Sequence, residues 1–128
     1  IARELCSKYD LVLIADEIAT GFGHTGKMWG CDWGNITPDI MTVGKSLTGG
    51  FMTLSAMMTT KNISDTISNS EFGVLMHGPT FMGNALACAV ANASIDLLLG
   101  SSWQEKVKNI ELVFKKELYP LKNIDIVA

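Results

Sequence analysis

The sequence predicts an α/β fold, and three features support this. Short apolar runs at residues 11–15, 40–43 and 54–58 have the length and composition of strands that are apolar on both faces. Segments with apolar residues at helical spacing precede and follow these runs, and glycine-rich stretches separate them. Strands that alternate with helices are typical of a sheet flanked by helices.

The first half of the chain contains a helix, the strands and a second helix. Apolar residues at helical spacing predict the end of an amphipathic helix over residues 1–9. The first strand is followed by the glycine-rich segment 20–34, which leads to the second strand. After the third strand we expect a short helix that ends near Ile67 and is capped by Thr60 or Asn62.

The second half is predicted to be helical. Residues 81–99 are nearly all apolar or small, which predicts a helix in the core or at a subunit interface. Asn84 and Asn92 interrupt this run, which argues against a membrane span. A capping box at residues 102–105 predicts the start of an amphipathic helix, which Pro120 ends.

Composition restricts the class of protein. The 128 residues are 48% hydrophobic and 18% charged, with a net charge of −3, which indicates a globular protein. No basic cluster occurs, so a nucleic-acid partner is not expected. Cys6, Cys31 and Cys88 are widely spaced, which predicts free thiols in a reducing, cytoplasmic compartment. Because the sequence begins without methionine in what reads as the middle of a helix, we expect a piece of a longer protein.

Two glycine motifs resemble phosphate-binding patterns. Residues 21–26 (GFGHTG) fit the dinucleotide pattern G-x-G-x-x-G, but they do not directly follow the strand, and further glycines interrupt the helix that should come next. A nicotinamide site therefore stays as an alternative. Residues 44–46 fit the end of a P-loop, but Asp39 stands where its first glycine belongs. No metal site is predicted, since neither His24 nor His77 has a partner at ligand spacing.

An acid and a lysine stand at the ends of two neighbouring predicted strands. Asp16 follows the first strand, and Lys45 follows the second in a glycine-rich turn that can partly shield its amine from water. A lysine condenses with aldehydes to form a Schiff base, and a carboxylate can hold a pyridine nitrogen protonated. The pair is the minimum that pyridoxal phosphate requires. Each residue also has a plainer reading, as a carboxylate that caps a turn and as a solvated lysine.

A third polar element is the segment His77-Gly78-Pro79-Thr80, which precedes the predicted apolar helix. A threonine hydroxyl and free backbone N–H groups at a helix N-terminus favour an anion such as phosphate. Thr80 equally fits an ordinary helix N-cap.

Taken together, these segments resemble the class III aminotransferases, which are fold-type I pyridoxal-phosphate enzymes. The resemblance rests on residues 16–23 (DEIATGFG), 38–40 (PDI) and 44–50 (GKSLTGG), and it covers nearly all of residues 1–120. Within that class, residues 52–56 and 77–84 resemble the members that act in biotin synthesis.

The resemblance implies roles for particular residues. Lys45 matches the lysine that carries the cofactor and binds substrate, and Asp16 matches the partner of the pyridine nitrogen. Pro79 and Thr80 match a phosphate contact that crosses the interface of a homodimer, and Gly78 matches a position that touches substrate. The implied reaction transfers an amino group from S-adenosylmethionine to 8-amino-7-oxononanoate, with Lys45 as the base that moves the proton.

Two positions depart from the family pattern, and other functions stay open. His24 stands where arginine is common and Ala85 where proline is usual, and we expect both to affect local packing. The alternatives are another class III omega-aminotransferase, a nicotinamide-dependent oxidoreductase and an inactive interaction module with the same fold.

The resemblance also implies how the chain is organised. Residues 1–128 correspond to part of one large cofactor-binding domain with a mixed, mostly parallel sheet flanked by helices. Residues 103–128 correspond to the segment that leads into a smaller C-terminal domain. Because other parts of the family's active site have no counterpart here, we expect the isolated 128-residue chain to be inactive.

Overall fold

The computed structural model describes residues 1–124, so the last four residues of the predicted domain span lie outside the described part. The helices and strands are, in chain order, α1 (Ala2–Lys8), β1 (Ile14–Asp16), β2 (Ile40–Val43), β3 (Ala56–Thr59), α2 (Lys61–Ser68), α3 (Ala85–Leu99) and α4 (Trp103–Leu118). Single turns of 3-10 helix cover Gly30–Trp33, Lys45–Thr48 and Tyr119–Asn123. The predicted α/β class is confirmed.

The three strands form one mixed sheet in the order β1-β2-β3. β1 and β2 are parallel, with Ile14 opposite Ile40 and Asp16 opposite Thr42. β2 and β3 are antiparallel, so within residues 1–124 the sheet is mixed, as expected, with one parallel and one antiparallel pairing. The parallel pairing brings the carboxyl ends of β1 and β2 to the same edge of the sheet.

β1 begins three residues later in the chain than the apolar run predicted, because its pairing with β2 sets its start. Asp39 Oδ2 accepts hydrogen bonds from Leu13 N and Arg3 Nη1, each at 2.7 Å, and so ties the approach to β1 to the approach to β2. The backbone N–H of Leu13 and then the Arg3 guanidinium hold the pKa of Asp39 below its usual value. Pairing therefore begins at Ile14, directly after this contact.

The core lies where the end of β2 meets α3. Val43, Leu47 and Ala91 are buried there, with half-buried apolar side chains packed around them, namely Phe22, Trp29, Met41, Leu54 and Ile95. The alanine face of α3 contacts the turn at Lys45–Thr48, since small side chains allow two backbones to approach closely. This packing places α3 behind the turn that carries Lys45.

Much of the apolar surface predicted to be buried is exposed in this chain. Leu11, Val12 and Ile14 before and in β1 are exposed. α3 buries only Ala87 and Ala91, and three of its leucines, Leu86, Leu97 and Leu99, are exposed. A core helix covered on both faces is therefore not what residues 1–124 form, and the expected alternative of a helix at a subunit interface stays a prediction. Within these residues no single helix is long and apolar enough to cross a membrane. Only α3 together with the segment Trp103–Asn123 reaches the length and hydrophobicity of a membrane span, and the two are bent by 73° relative to each other.

The helix caps agree only in part with the sequence pattern. Thr60 caps α2 by accepting a hydrogen bond from Ile63 N at 3.5 Å, as expected. α3 begins four residues after Phe81 because Asn84 Oδ1 accepts from Ala87 N at 3.1 Å. The side chain of Ser102 makes no capping hydrogen bond, so the predicted capping box at α4 is wrong.

Candidate active site

Asp16 is the last residue of β1, and its carboxylate is exposed at the edge where β1 and β2 both end. Oδ1 accepts a hydrogen bond from Ile18 N at 2.9 Å and another from Thr42 Oγ1 at 3.2 Å. The bond to Ile18 N caps the turn that follows the strand, so the plainer interpretation of this acid, as one that caps a turn, is confirmed, and its role toward a cofactor stays a prediction. Oδ2 has no hydrogen-bond partner within residues 1–124 and is available to a ligand.

Lys45 follows β2 by two residues and has a backbone φ of 44°, in the left-handed region. A residue with a side chain is strained there, and such strain is most common at functional sites. The side chain is exposed, not partly shielded as expected, and Nζ makes no hydrogen bond or ion pair with any residue from 1 to 124. Lys45 therefore presents an amine without a partner among residues 1–124, on a turn whose backbone is strained.

The strain at Lys45 predicts an unusual order of stability for two variants of the full-length protein that carries this chain. Lys45→Gly is expected to be more stable to unfolding than Lys45→Ala by about 1 kcal/mol, because only glycine adopts a positive φ at no steric cost. At Ser46, the next residue in the same turn, Ser46→Gly is expected to be less stable than Ser46→Ala. Denaturant unfolding of the four variants measures both differences. The same order at both positions would contradict the strain at Lys45.

Glu17, next to Asp16, is almost fully buried, with 2% of its surface exposed. Oε2 accepts from Gly30 N at 2.9 Å and from the hydroxyl of Thr20, and Oε1 accepts from Cys31 N at 2.7 Å. Burial alone raises the pKa of this carboxyl, but the hydrogen bonds from Thr20, Cys31 and Gly30 outweigh burial and hold the pKa below 4.5. The charged carboxylate fastens the glycine-rich loop to the end of β1.

Glu17 was not predicted to belong to the site. The signal that was available is Thr20, a hydroxyl three residues later with which the carboxylate forms a local hydrogen bond. The partners at Gly30 and Cys31 had no sequence signal, because the loop path brings them to Glu17. Since Glu17 N also donates to Thr42 O at 2.9 Å, Glu17 fixes the backbone on which Asp16 stands.

Cys31 is a structural thiol. Burial, and then the hydrogen bond to Glu17 and its charge, raise the pKa of Cys31 to about 11. At neutral pH the thiol therefore stays protonated and is a poor nucleophile. Nothing in its surroundings suggests a part in the chemistry at Lys45.

The segment Gly21–Gly26 forms a compact loop that leads to no α-helix, since the next helical residues are the single turn at Gly30–Trp33. Gly23 has φ 94°, and an added Cβ there would lie 2.9 Å from the buried ring of Trp103 at the start of α4. The glycines thus serve tight packing, and the nicotinamide reading of GFGHTG is wrong because the phosphate-binding helix it needs is absent from residues 1–124.

His24 lies at the tip of this loop and contacts the turn that carries the candidate lysine. Its Nε2 lies 2.9 Å from the hydroxyl oxygen of Ser46, the residue after Lys45. The side chain thus joins the loop to the lysine turn, which agrees with the expected effect of this departure on local packing.

The segment His77–Thr80 is exposed and irregular. Thr80 does not stand at a helix N-terminus, because a turn separates it from α3 and Asn84 is the cap. The expected helix-dipole anion site is therefore wrong for this chain. Asp16 and Lys45 both lie at the carboxyl ends of β1 and β2, and no hydrogen bond within residues 1–124 joins either of them to the segment His77–Thr80.

The residues present fit pyridoxal phosphate as far as this one chain contributes. Asp16 offers a carboxylate oxygen without a partner among residues 1–124, and Lys45 offers an amine that forms no ion pair there. Both belong to the same sheet edge, since Asp16 pairs with Thr42 and Lys45 follows three residues later. An acid for a ring nitrogen and an amine for an aldehyde are the groups this cofactor needs.

A mixed sheet with these two groups at one edge is that of the fold-type I pyridoxal-phosphate enzymes. Residues 1–127 match the family described as aminotransferase class-III, and the chain belongs to that family. The resemblance found in the sequence is confirmed. The chain spans about 28% of the length of the curated relatives it matches.

Three relatives illustrate the similarity. Adenosylmethionine-8-amino-7-oxononanoate aminotransferase of Buchnera aphidicola subsp. Acyrthosiphon pisum is 54% identical over 93% of this chain and 28% of its own. The crystal structure of the enzyme of that name from Methanocaldococcus jannaschii is 39% identical, with a TM-score of 0.86 over 95% of this chain and 29% of its own. Taurine:2-oxoglutarate aminotransferase of Bifidobacterium kashiwanohense, solved with pyridoxal phosphate and glutamate, is 35% identical, with a TM-score of 0.84 over 94% of this chain and 26% of its own.

Proposed function

We propose that the full-length protein carrying this chain transfers an amino group from S-adenosylmethionine to 8-amino-7-oxononanoate, giving 7,8-diaminononanoate for biotin synthesis. The observation that carries the proposal is the 54% identity to an enzyme of that name, with Asp16 and Lys45 at one edge of the sheet. Among the solved relatives, the enzyme of the same name from Methanocaldococcus jannaschii supports it as well.

Asp16 and Lys45 have the central roles in this proposal. Asp16 accepts a hydrogen bond from the ring nitrogen of the cofactor and keeps that nitrogen protonated. Pyridoxal phosphate, when bound, supplies the electron sink that makes a proton on the substrate carbon acidic. Lys45 Nζ would hold the cofactor and, once the amino group of the substrate has displaced it, would take and return that proton as a general base. The absence of any ion pair to Nζ within residues 1–124 supports this role, because a base must be free of competing partners.

The exposed segment Gly78–Thr80 acts in trans in this proposal. Its residues contact neither Asp16 nor Lys45 by hydrogen bonds in the described chain, and an added Cβ at Gly78 would meet nothing within 4 Å. Such exposure is what a contact with a second subunit requires. We therefore assign Pro79 and Thr80 to the phosphate, and Gly78 to the substrate, of the neighbouring site in a homodimer.

The proposal extends to the organisation and location of the protein. The exposed apolar side chains of α4, including Ile110, Phe114 and Leu118, support its assignment as the lead into a smaller C-terminal domain that packs on them. The free thiols of Cys6, Cys31 and Cys88 support a cytoplasmic location.

The proposed reaction is tested with the full-length protein and its cofactor. S-adenosylmethionine and 8-amino-7-oxononanoate are supplied together, and 7,8-diaminononanoate is measured by mass spectrometry. Parallel reactions replace the donor by glutamate, ornithine or taurine. Product formed only with S-adenosylmethionine supports the proposal. Turnover with another donor but not with S-adenosylmethionine would instead assign the protein to another class III omega-aminotransferase.

A further inference from the structure

Thr42 is a polar residue in the middle of an otherwise apolar strand. It lies on β2 directly opposite Asp16 on β1, and its hydroxyl donates to Asp16 Oδ1 at 3.2 Å. Met41 and Val43, its neighbours in the strand, belong to the core cluster, so Thr42 stands on the opposite face of the sheet. A valine has the same shape and an equal preference for strands, so the strand itself does not require the hydroxyl.

Both protein hydrogen bonds to the Asp16 carboxylate end on the same oxygen. Ile18 N donates to Oδ1 at 2.9 Å, and Thr42 donates to Oδ1 as well. One donor comes from the turn after β1 and the other from the neighbouring strand, so together they restrict rotation of the carboxyl group. Oδ2 has no hydrogen-bond partner within residues 1–124 and can accept a further hydrogen bond.

The threonine hydroxyl suits this task because of its stiffness. A β-branched side chain has few rotamers at χ1, so its oxygen is held in place by the strand backbone. The backbone beneath is fixed too, since Glu17 N donates to Thr42 O at 2.9 Å. The parallel ladder therefore holds the donor, the acceptor and the direction of the free oxygen in one rigid unit.

We propose that Thr42 is a positioning residue that orients the Asp16 carboxylate toward the ring nitrogen of pyridoxal phosphate. The proposal rests on the proposed function and deepens it by naming the group that directs Asp16. Thr42 does not itself touch the cofactor in this assignment. Its hydroxyl acts through Asp16, by holding Oδ1 in a hydrogen bond and leaving Oδ2 available to the cofactor.

The test compares Thr42→Val, Thr42→Ala and Thr42→Ser in the full-length protein, with Thr59→Val as the matched control. Thr59 is also a threonine in a strand, and its hydroxyl donates to the backbone O of Asp39 at 3.1 Å. It lies at the other end of the sheet from Asp16. Circular dichroism first establishes that each variant is folded. Binding of added pyridoxal phosphate is then titrated by fluorescence, and the absorbance of the bound cofactor is followed from acid to alkaline pH.

We expect Thr42→Val and Thr42→Ala to bind pyridoxal phosphate roughly tenfold more weakly, which is the size of one hydrogen bond to a charged group. The absorbance of the bound cofactor follows protonation of the nitrogen that joins it to Lys45. A poorly oriented Asp16 leaves the ring nitrogen less protonated, and with less positive charge on the ring the pH midpoint of that absorbance is expected to rise. Thr42→Ser is expected to restore both values, and Thr59→Val to leave them unchanged.

Two outcomes overturn the inference, and they are distinguishable. If the unmodified protein binds pyridoxal phosphate on Lys45 while Thr42→Val and Thr42→Ala match it in affinity and pH midpoint, Thr42 has no positioning role and the proposed function stands. If the unmodified protein does not bind pyridoxal phosphate, the proposed function fails and the role of Thr42 fails with it.

Discussion

Replacing Lys45 by alanine is expected to abolish covalent attachment of pyridoxal phosphate and to lower amino transfer by about a thousandfold. In the proposed reaction the Lys45 amine both holds the cofactor and acts as the base, and loss of a general base alone costs about 10²–10⁴ in rate. The measurement uses the full-length protein, treated with pyridoxal phosphate, reduced with borohydride, digested and mapped by mass spectrometry. In the unmodified protein the pyridoxyl group is expected on the peptide that contains Lys45.

Lys61→Ala is the matched control for this experiment. Lys61 is an exposed lysine at the start of α2, paired with Asp65 at 2.5 Å, and it is expected to carry no label and to keep full activity when changed. A pyridoxyl group found on a lysine other than Lys45, or a Lys45→Ala protein with unchanged labelling and turnover, would remove the assigned role of this residue. Cofactor binding without any covalent label would do the same.

The second large effect is expected at Glu17, whose change to glutamine should lower the free energy of unfolding by about 2 kcal/mol. The carboxylate accepts from the backbone N–H groups of Gly30 and Cys31 and from the hydroxyl of Thr20. A glutamine offers one oxygen and an NH₂ group, so at least one buried N–H loses its acceptor. Denaturant unfolding of the full-length protein measures the loss. Glu71→Gln, at an exposed position, is the control and should change stability by less than about 0.5 kcal/mol.

The effect of Glu17→Gln is expected to depend on pH. Burial raises the pKa of Glu17, but the hydrogen bonds from Thr20, Cys31 and Gly30 lower it more, so the folded protein favours the charged form. The stability this provides is fully present above the ordinary pKa of 4.5 and is lost as pH falls through the lowered pKa of the folded state. The difference in stability between the unmodified protein and the Glu17→Gln variant should therefore be largest near neutral pH and shrink below the ordinary pKa of 4.5. A difference that stays constant on acidification would contradict a charged, hydrogen-bonded Glu17.

The candidate residues at the strand ends were predictable because each depends on local order along the chain. β2 was located correctly at residues 40–43, because a four-residue apolar run between Pro38-Asp39 and a glycine has few alternatives. Asp16 and Lys45 come directly after such runs, so their position at one edge of the sheet followed once the strands were taken as parallel neighbours. The family was recognisable from the same residues, since motif order and spacing are properties of the sequence.

The contacts that fix those residues were not predictable, because each joins positions separated by a loop. Glu17 meets Gly30 and Cys31, and His24 meets Ser46, only because the glycine-rich segment folds back on the sheet. The cap of α2 at Thr60 was predicted correctly, but the start of α3 was not: Asn84 competes with residues before it, and geometry decides which oxygen reaches a free N–H.

The sequence by itself determined the α/β class, the family, and the presence of an acid and a lysine at neighbouring strand ends. Only the tertiary structure decided that Glu17 is a buried anchor, that Asp16 has one bonded and one free oxygen among the residues described, and that Lys45 is held at a positive φ. The physical reason is that apolar periodicity and motif spacing are written in neighbouring residues. Hydrogen-bond partners, burial and backbone strain depend on which distant segments the sheet register brings together.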